Sequence, residues 1–233
     1  MNLLAIESST EFLSLALQAG TEVHAFHECT GPAASQRILP EIQRLLAQAH
    51  FTLAGLDGIA YGMGPGAFTG VRVAVGVTQG LALGAGLPVV GVSSLQTVAQ
   101  AAWLETQAEK VLVCLDARMG EVYHAAFTRQ QNEWVEVSAP VVCKPHDVPA
   151  IEGNDWLAAG SGWRIFADSL SGQYAGKISQ IHADLLPTAP AMLTLAHPRF
   201  AAGETQSADQ AAPLYVRNRV ALTASERAQG QTL

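Results

Sequence analysis

Charge is scarce in this chain. Of its 233 residues only 14% are charged and 49% are hydrophobic, so a substantial core can form and intrinsic disorder is excluded. Cations are scarcer than acids: 13 Lys and Arg against 20 Asp and Glu leave a net charge of -7. Such a balance argues against a protein that grips nucleic acid electrostatically on its own, so any RNA contact needs a basic partner. Cysteine is limited to Cys29, Cys114 and Cys143, an odd number set far apart in apolar or strand-like surroundings. They read as reduced, buried thiols of a reducing compartment. No basic n-region precedes the acid at Glu7, so the start is not a signal peptide and a cytoplasmic location is expected. Val73 to Gly91 lacks any charged residue and is long enough to span a bilayer, yet Pro88 and glycines 76, 80, 84, 86 and 91 divide it. A small-residue helix followed by a short strand is expected there, with no membrane span.

Catalytic signatures are also missing. Histidines 24, 27, 50, 124, 146, 182 and 197 show no ligand spacing, and His27-Glu28 lacks the second histidine of a zinc-protease helix, so no metal site is expected. A Gly-x-Ser-x-Gly elbow is absent. So are short-period repeats and low-complexity segments.

What is present is a regular alternation of elements. Leu3 to Ile6, Leu13 to Gln18 and Glu22 to Glu28 read as a three-stranded meander. Ile38, Leu39, Ile42, Leu45, Leu46 and Ala49 recur at helical spacing, with Pro40 near the helix start or at a kink. Gly58 to Gly62 is a strand, Thr69 a plausible N-cap for a helix running to about Gly84, Leu87 to Val92 a strand and Ser94 to Glu105 a helix. A weaker version of the same order begins after Lys110, with strands at Val111 to Asp116, Glu121 to Phe127 and Trp134 to Val137. Thr188 to Arg199 reads as a helix, and the end from Ser225 onward as loose. The succession implies mixed sheets covered by helices, an α/β protein.

Two acid-tipped turns stand out. Glu7-Ser8-Ser9-Thr10 closes the first strand, where hydroxyls and N–H groups can face a phosphate and the acid can hold a metal-bound water; a plain hydroxyl-rich turn is the alternative. Asp116-Ala117-Arg118-Met119-Gly120 opens the second half in the same way. Two such turns facing each other across a cleft are the phosphate clamps of the actin, Hsp70 and sugar-kinase architecture. Gly64-Pro65-Gly66-Ala67-Phe68-Thr69-Gly70-Val71-Arg72 leads into a helix N-terminus, and both anion binding and a structural role are open. It is neither a P-loop nor a dinucleotide fingerprint. Gly160-Ser161-Gly162 is a strand-to-helix turn or a turn beside a nucleotide base. Gly76, Gly80 and Gly84 share one helix face although each costs about 1 kcal/mol against alanine, so a helix of the same chain or a second subunit must need that flat face.

Ala5-Ile6-Glu7-Ser8-Ser9-Thr10, the Gly64 to Arg72 run, Gly91-Val92-Ser93-Ser94-Leu95, Asp116-Ala117-Arg118 with Glu121-Val122-Tyr123, and Pro213-Leu214-Tyr215-Val216-Arg217 closely resemble the TsaB (YeaZ) family of bacterial tRNA threonylcarbamoyladenosine biosynthesis proteins. The resemblance implies an actin-like ATPase (ASKHA, RNase H-like) fold with two related lobes. On that basis residues 1–107 form the first lobe, joined by helix 188–202; residues 108–187 form a smaller second lobe and 203–233 a C-terminal segment. The implied role is an accessory subunit without catalytic activity of its own, which binds and activates the threonylcarbamoyl transferase TsaD together with the ATPase TsaE. It forms a homodimer in isolation and meets tRNA only through the complex. In the paralogous catalytic subunit a His-x-x-x-His pair holds a metal; here Ser94 and Val98 occupy those places. Glu7 and Ala34 also depart from the family pattern, which more often has Asp and His there. The nucleotide-phosphate candidates are Glu7, Ser9, Thr10, Gly64, Gly66, Asp116, Gly160 and Gly162, for weakly held ATP or ADP and no tightly bound cofactor. The interface candidates are Ile38, Ile42, Leu45, Leu46, Val73, Gly76, Val77, Gly80 and Gly84. An autonomous ATPase or small-molecule kinase of the same fold is the alternative, and a metalloprotease has no motif behind it.

Overall fold

The structure, a computed structural model, describes residues 1–216; Arg217 and the end from Ser225 onward lie outside the described residues. Ten strands and six α-helices are found there in the order β1 (Leu3–Glu7), β2 (Phe12–Ala19), β3 (Glu22–Cys29), α1 (Ala34–Gln48), β4 (Gly58–Gly64), α2 (Phe68–Ala85), β5 (Val89–Ser93), α3 (Ser94–Thr106), β6 (Lys110–Arg118), β7 (Glu121–Gln130), β8 (Glu133–Cys143), β9 (Trp156–Ala159), α4 (Gly162–Ile165), α5 (Ala167–Gln173), β10 (Ile178–His182) and α6 (Ala189–Ala201).

The strands make two sheets of five, ordered β3-β2-β1-β4-β5 and β10-β9-β6-β7-β8. In each, the first strand pairs antiparallel with the hairpin that follows it and parallel with the fourth strand. The two sheets are therefore the same motif written twice, as the two acid-tipped turns imply. β1 is central and covered on both faces, which is why its sequence is an unbroken apolar run up to Glu7. The second unit is the smaller: no helix joins β8 to β9, where the first unit has α1 between β3 and β4.

The last helix of each unit covers the other unit's sheet. α3 follows β5 yet sets Leu95, Val98, Ala99 and Ala102 against Val111, Val113, Phe127 and Leu157 of the second sheet. Conversely α6 follows β10 and sets Met192, Leu193, Ala196 and Phe200 against Leu3, Ala5, Ala60, Val90 and Val92 of the first. α6 starts cleanly because the Thr188 hydroxyl accepts from Ala191 N at 3.4 Å, with Pro190 in its first turn. The other face of the first sheet is covered by α1 and α2, and that of the second by Trp163, Leu170 and Tyr174 of α4, α5 and the turn after them.

Two expectations are corrected. Thr69 is already inside α2; the cap position is Ala67, whose N–H donates to the Ser9 carbonyl at 2.7 Å, so the chain enters the helix from a backbone contact instead of a hydroxyl cap. Ile38, Ile42 and Leu45, expected at a subunit interface, are buried in the chain's own core. The amphipathic face of α1 is consumed by the first sheet, because a helix laid on a half-covered sheet must bury its apolar stripe there. By length and composition α2 is apolar enough to cross a membrane, but Val71, Ala74, Val75, Thr78 and Ala82 pack into the core.

Ile42 is 2% exposed, so Ile42→Ala should lower unfolding free energy by about 2–5 kcal/mol. Denaturant melts at several protein concentrations check this: a core residue gives the same loss at every concentration.

Candidate functional site

A cleft of about 550 Å³ opens between the units, lined by Ser9, Thr10 and Glu11 after β1, Pro65 to Phe68 with Val71 and Arg72 at the start of α2, Leu115 to Arg118 at the tip of β6, Ser161, Arg164 and Ile165, and Pro213 to Val216. The hairpin between β6 and β7 turns sharply, with Arg118, Met119 and Gly120 all in left-handed conformation, and this leaves Asp116 at the cleft edge.

Four of the eight phosphate candidates meet there: Ser9, Thr10, Gly66 and Asp116. Glu7 does not. It is 1% exposed, its Oε1 accepts from Ser9 N at 2.6 Å and its Oε2 from Ser94 Oγ at 3.1 Å. Gly62 makes room for it, since a Cβ there would stand 2.2 Å from Oε2. Burial pushes the Glu7 carboxyl above its ordinary range, against the opposing hydrogen bonds from Ser9, Ser94 and Ser8. Asp116 is engaged as well: Oδ1 accepts from Arg118 N at 2.9 Å, and Oδ2 lies 3.1 Å from the Arg118 guanidinium.

The glycine run resolves toward close packing. A Cβ at Gly66 would fall 2.3 Å from the Ser9 carbonyl oxygen, and one at Gly70 would fall 1.9 Å from that of Ser8. Ser8 Oγ adds a bond to the Gly70 carbonyl at 2.9 Å. Gly160 and Gly162 are used likewise, their bare faces filled by the Cys114 carbonyl; only Ser161 between them reaches the cleft, and its Oγ accepts from Asp116 N at 3.1 Å. Gly64 is absent from the lining.

Arg72, Phe68 and Tyr215 were not assigned a role from the sequence, although all three lie in the quoted motifs. The Arg72 guanidinium lies 3.3 Å from the Phe68 ring centroid and 5.1 Å from that of Tyr215, and donates to Tyr215 Oη at 2.6 Å. Only the fold brings residues 72 and 215 together. The Ser94 and Val98 positions do not fit a metal: Ser94 is committed to Glu7 and Val98 is buried in the core. No group of three or more His, Cys, Asp and Glu side chains that could hold a metal occurs among the described residues.

On the opposite side of α2 the glycine face is bare. Cβ atoms added at Gly76, Gly80 or Gly84 would meet nothing within 4 Å, and Leu83 beside them is 77% exposed. No helix among the described residues packs there. Val73, Val77 and Leu46 are half-buried at its border.

Two outcomes follow from this division of the glycines. Gly70→Ala should destabilise, because backbone must move to admit its Cβ, whereas Gly80→Ala should stabilise the monomer by about 1 kcal/mol; thermal melts of both variants give the signs. For Glu7, a carboxyl whose pKa is raised on folding contributes stability below its unfolded value and loses it as pH rises through the folded one. The stability of the protein relative to Glu7→Gln should therefore fall as pH is raised from the acid side, read from paired denaturant melts across pH.

The family model for TsaD, described as tRNA N6-adenosine threonylcarbamoyltransferase, matches residues 28–225. Over 225 residues the chain is 42% identical to the tRNA threonylcarbamoyladenosine biosynthesis protein TsaB of Escherichia coli, covering 95% of this chain and 96% of that one. It is 36% identical to the Haemophilus influenzae TsaB over 230 residues, 94% and 95% of the two chains. Among solved structures, one described as an uncharacterized protein with similarity to peptidase YEAZ from Pseudomonas aeruginosa superposes with a TM-score of 0.87 at 39% identity, over 93% of this chain and 99% of that one. YeaZ from the same organism gives 0.82 at 39% identity, over 92% and 99%. The repeated sheet motif is thus that of the actin-like, RNase H-like fold, and the chain belongs to the TsaB (YeaZ) family of tRNA threonylcarbamoyladenosine biosynthesis proteins.

Proposed function

We propose that this chain is an accessory subunit of tRNA threonylcarbamoyladenosine formation, binding and activating the catalytic subunit TsaD together with the ATPase TsaE. The observation that carries the reading is the bare outer face of α2. Three interior helix glycines, each costing about 1 kcal/mol, stand where none of the described residues approaches them. A helix from another subunit can lie closely on such a face, ridges into a flat groove. The contact surface is Gly76, Gly80, Gly84 and Leu83, bordered by Val73, Val77 and Leu46; Ile38, Ile42 and Leu45 support it from beneath. The same face serves self-association in isolation, so homodimer and heterodimer compete.

The chain's own groups position rather than react. Ser94 and Val98 offer no metal pair, and the net charge of -7 leaves tRNA to be gripped by the other subunits, in the cytoplasm and away from membranes. An autonomous ATPase needs Glu7 and Asp116 turned together into the cleft; one faces the core and the other is paired with Arg118. Nucleotide, where it binds, is held weakly.

Gly80→Leu tests the reading, since its side chain projects into open space in the monomer. Circular dichroism should be unchanged, while sedimentation shows loss of self-association and of TsaD binding, and reconstituted threonylcarbamoyl transfer falls to the level of TsaD and TsaE without this subunit. A folded variant that associates and supports transfer at wild-type levels overturns it.

A further inference from the structure

We propose that His124, Tyr174 and the Pro149 carbonyl form a proton-operated latch, which holds the outer layer of the second unit shut while the imidazole is neutral and releases it when the imidazole takes up a proton. The latch joins His124 on β7, Pro149 between β8 and β9, and Tyr174 just after α5. His124 is fully buried. Its Nε2 lies 2.8 Å from Tyr174 Oη, and Tyr174 Oη donates to the Pro149 carbonyl at 2.8 Å. A carbonyl can only accept and a phenol has a single hydrogen, so the Tyr174 hydrogen goes to Pro149 and the hydrogen between the two rings must come from Nε2. That fixes the tautomer. Nδ1 is then a bare lone pair, buried and without a hydrogen-bond partner among the described residues. The chain of bonds is complete only with a neutral imidazole.

A second proton has to go on Nδ1, where none of the surrounding groups can accept its hydrogen bond or balance its charge. Cys114 of β6 stands opposite His124 in the sheet, and burial keeps its thiol neutral by pushing it well above the ordinary value. Burial raises Cys143 of β8 likewise, to about 11, with Asp147 and Glu121 adding to the effect there. Those two acids act on Cys143; burial alone pushes His124 down, from 6.5 to about 4. The Lys177 ammonium, which donates to the Ile151 carbonyl in the same layer, has the wrong sign to stabilise an imidazolium. Arg164, Asp168 and His146 are exposed. The layer over His124 consists of Val148, Ile151, Trp163, Leu170 and Tyr174. Its helices are short, four residues in α4 and seven in α5, where the first unit has 15 in α1 and 18 in α2. Helices of that length are not stable by themselves, so the layer depends on its ties to the sheet. Ser161, Arg164 and Ile165 of the same layer line the cleft, and its release loosens that cleft wall. A base whose pKa is lowered on folding stabilises the closed layer above its ordinary value, and this stability is lost as pH falls from 6.5 toward about 4.

The latch can be tested on the full chain alone, with readouts that involve neither self-association nor transfer. Nitrogen-15 NMR of histidine-labelled protein should show His124 with a protonated Nε2 and a bare Nδ1 at neutral pH, and the ring still neutral at about pH 5.5. Hydrogen exchange read by mass spectrometry, corrected for the intrinsic rate at each pH, should show peptides covering 162–177 losing protection about tenfold between about pH 6.5 and about pH 5. The β1–β2 ladder should keep its protection over the same range. His124→Gln, whose amide can still donate to Tyr174 Oη but takes up no proton, should abolish the pH-dependent loss; if that variant does not fold, the two wild-type measurements decide. A neutral ring protonated at Nδ1, an imidazolium at about pH 5.5 with 162–177 still protected, or a loss of protection shared equally by the first sheet would overturn the proposal. So would the same pH-dependent loss in folded His124→Gln.

Discussion

The approach of the α2 start to the Ser8-Ser9 turn sets the rest of the molecule. At Gly66 and Gly70 two stretches of backbone come closer than any Cβ permits, locked by the Ala67 N to Ser9 carbonyl bond and the Ser8 hydroxyl bond. With its first turn pinned there, α2 lies along the first sheet with Val71, Ala74, Val75, Thr78 and Ala82 beneath it. Arg72 is then left at the cleft and Gly76, Gly80 and Gly84 on the outside, a row at four-residue intervals that begins at the cleft and continues along the outer face. Glycine thus serves two opposite purposes within one motif and helix: inward closeness near the start, outward flatness farther on.

The exchange of α3 and α6 has a mechanical consequence. Because each helix follows one sheet in sequence and covers the other in space, neither unit completes its core alone. The cleft therefore opens between two units already bound together at their base, with residues 211–216 as an additional tie across its mouth. Such a body holds its surfaces fixed relative to one another. Its buried acid serves the same end: Glu7 fastens the Ser9 turn to Ser94 of α3.

Much of this was legible in the sequence, because period-two alternation, apolar runs and turn residues report local geometry directly. The repeat of three strands and acid-tipped turns, the amphipathic α1 and the small-residue α2 are all local properties. Burial was less legible. The stripe of Ile38, Ile42 and Leu45 is apolar whether it meets a sheet or a second subunit, and periodicity carries no sign of which. Glu7 likewise reads as an acid at a strand end, and only the packing of Gly62 and Ser94 around it shows that its carboxylate faces inward. The pairing of Arg72 with Tyr215 joins residues 143 positions apart, and no spacing rule reaches so far.

The sequence alone determined the order of elements as far as β8, the doubling of the motif and the family, since these depend on residue types at short separations; β9, α4, α5 and β10 emerged only in the fold. Tertiary structure decided which faces are spent and which are free among the described residues: α1 turned inward, the α2 glycines bare, Arg72 set against Phe68 and Tyr215 at the cleft. The physical reason is that burial and charge pairing are properties of what lies opposite in space, and the same side chain stabilises a core or offers a contact according to whether the chain has already covered it.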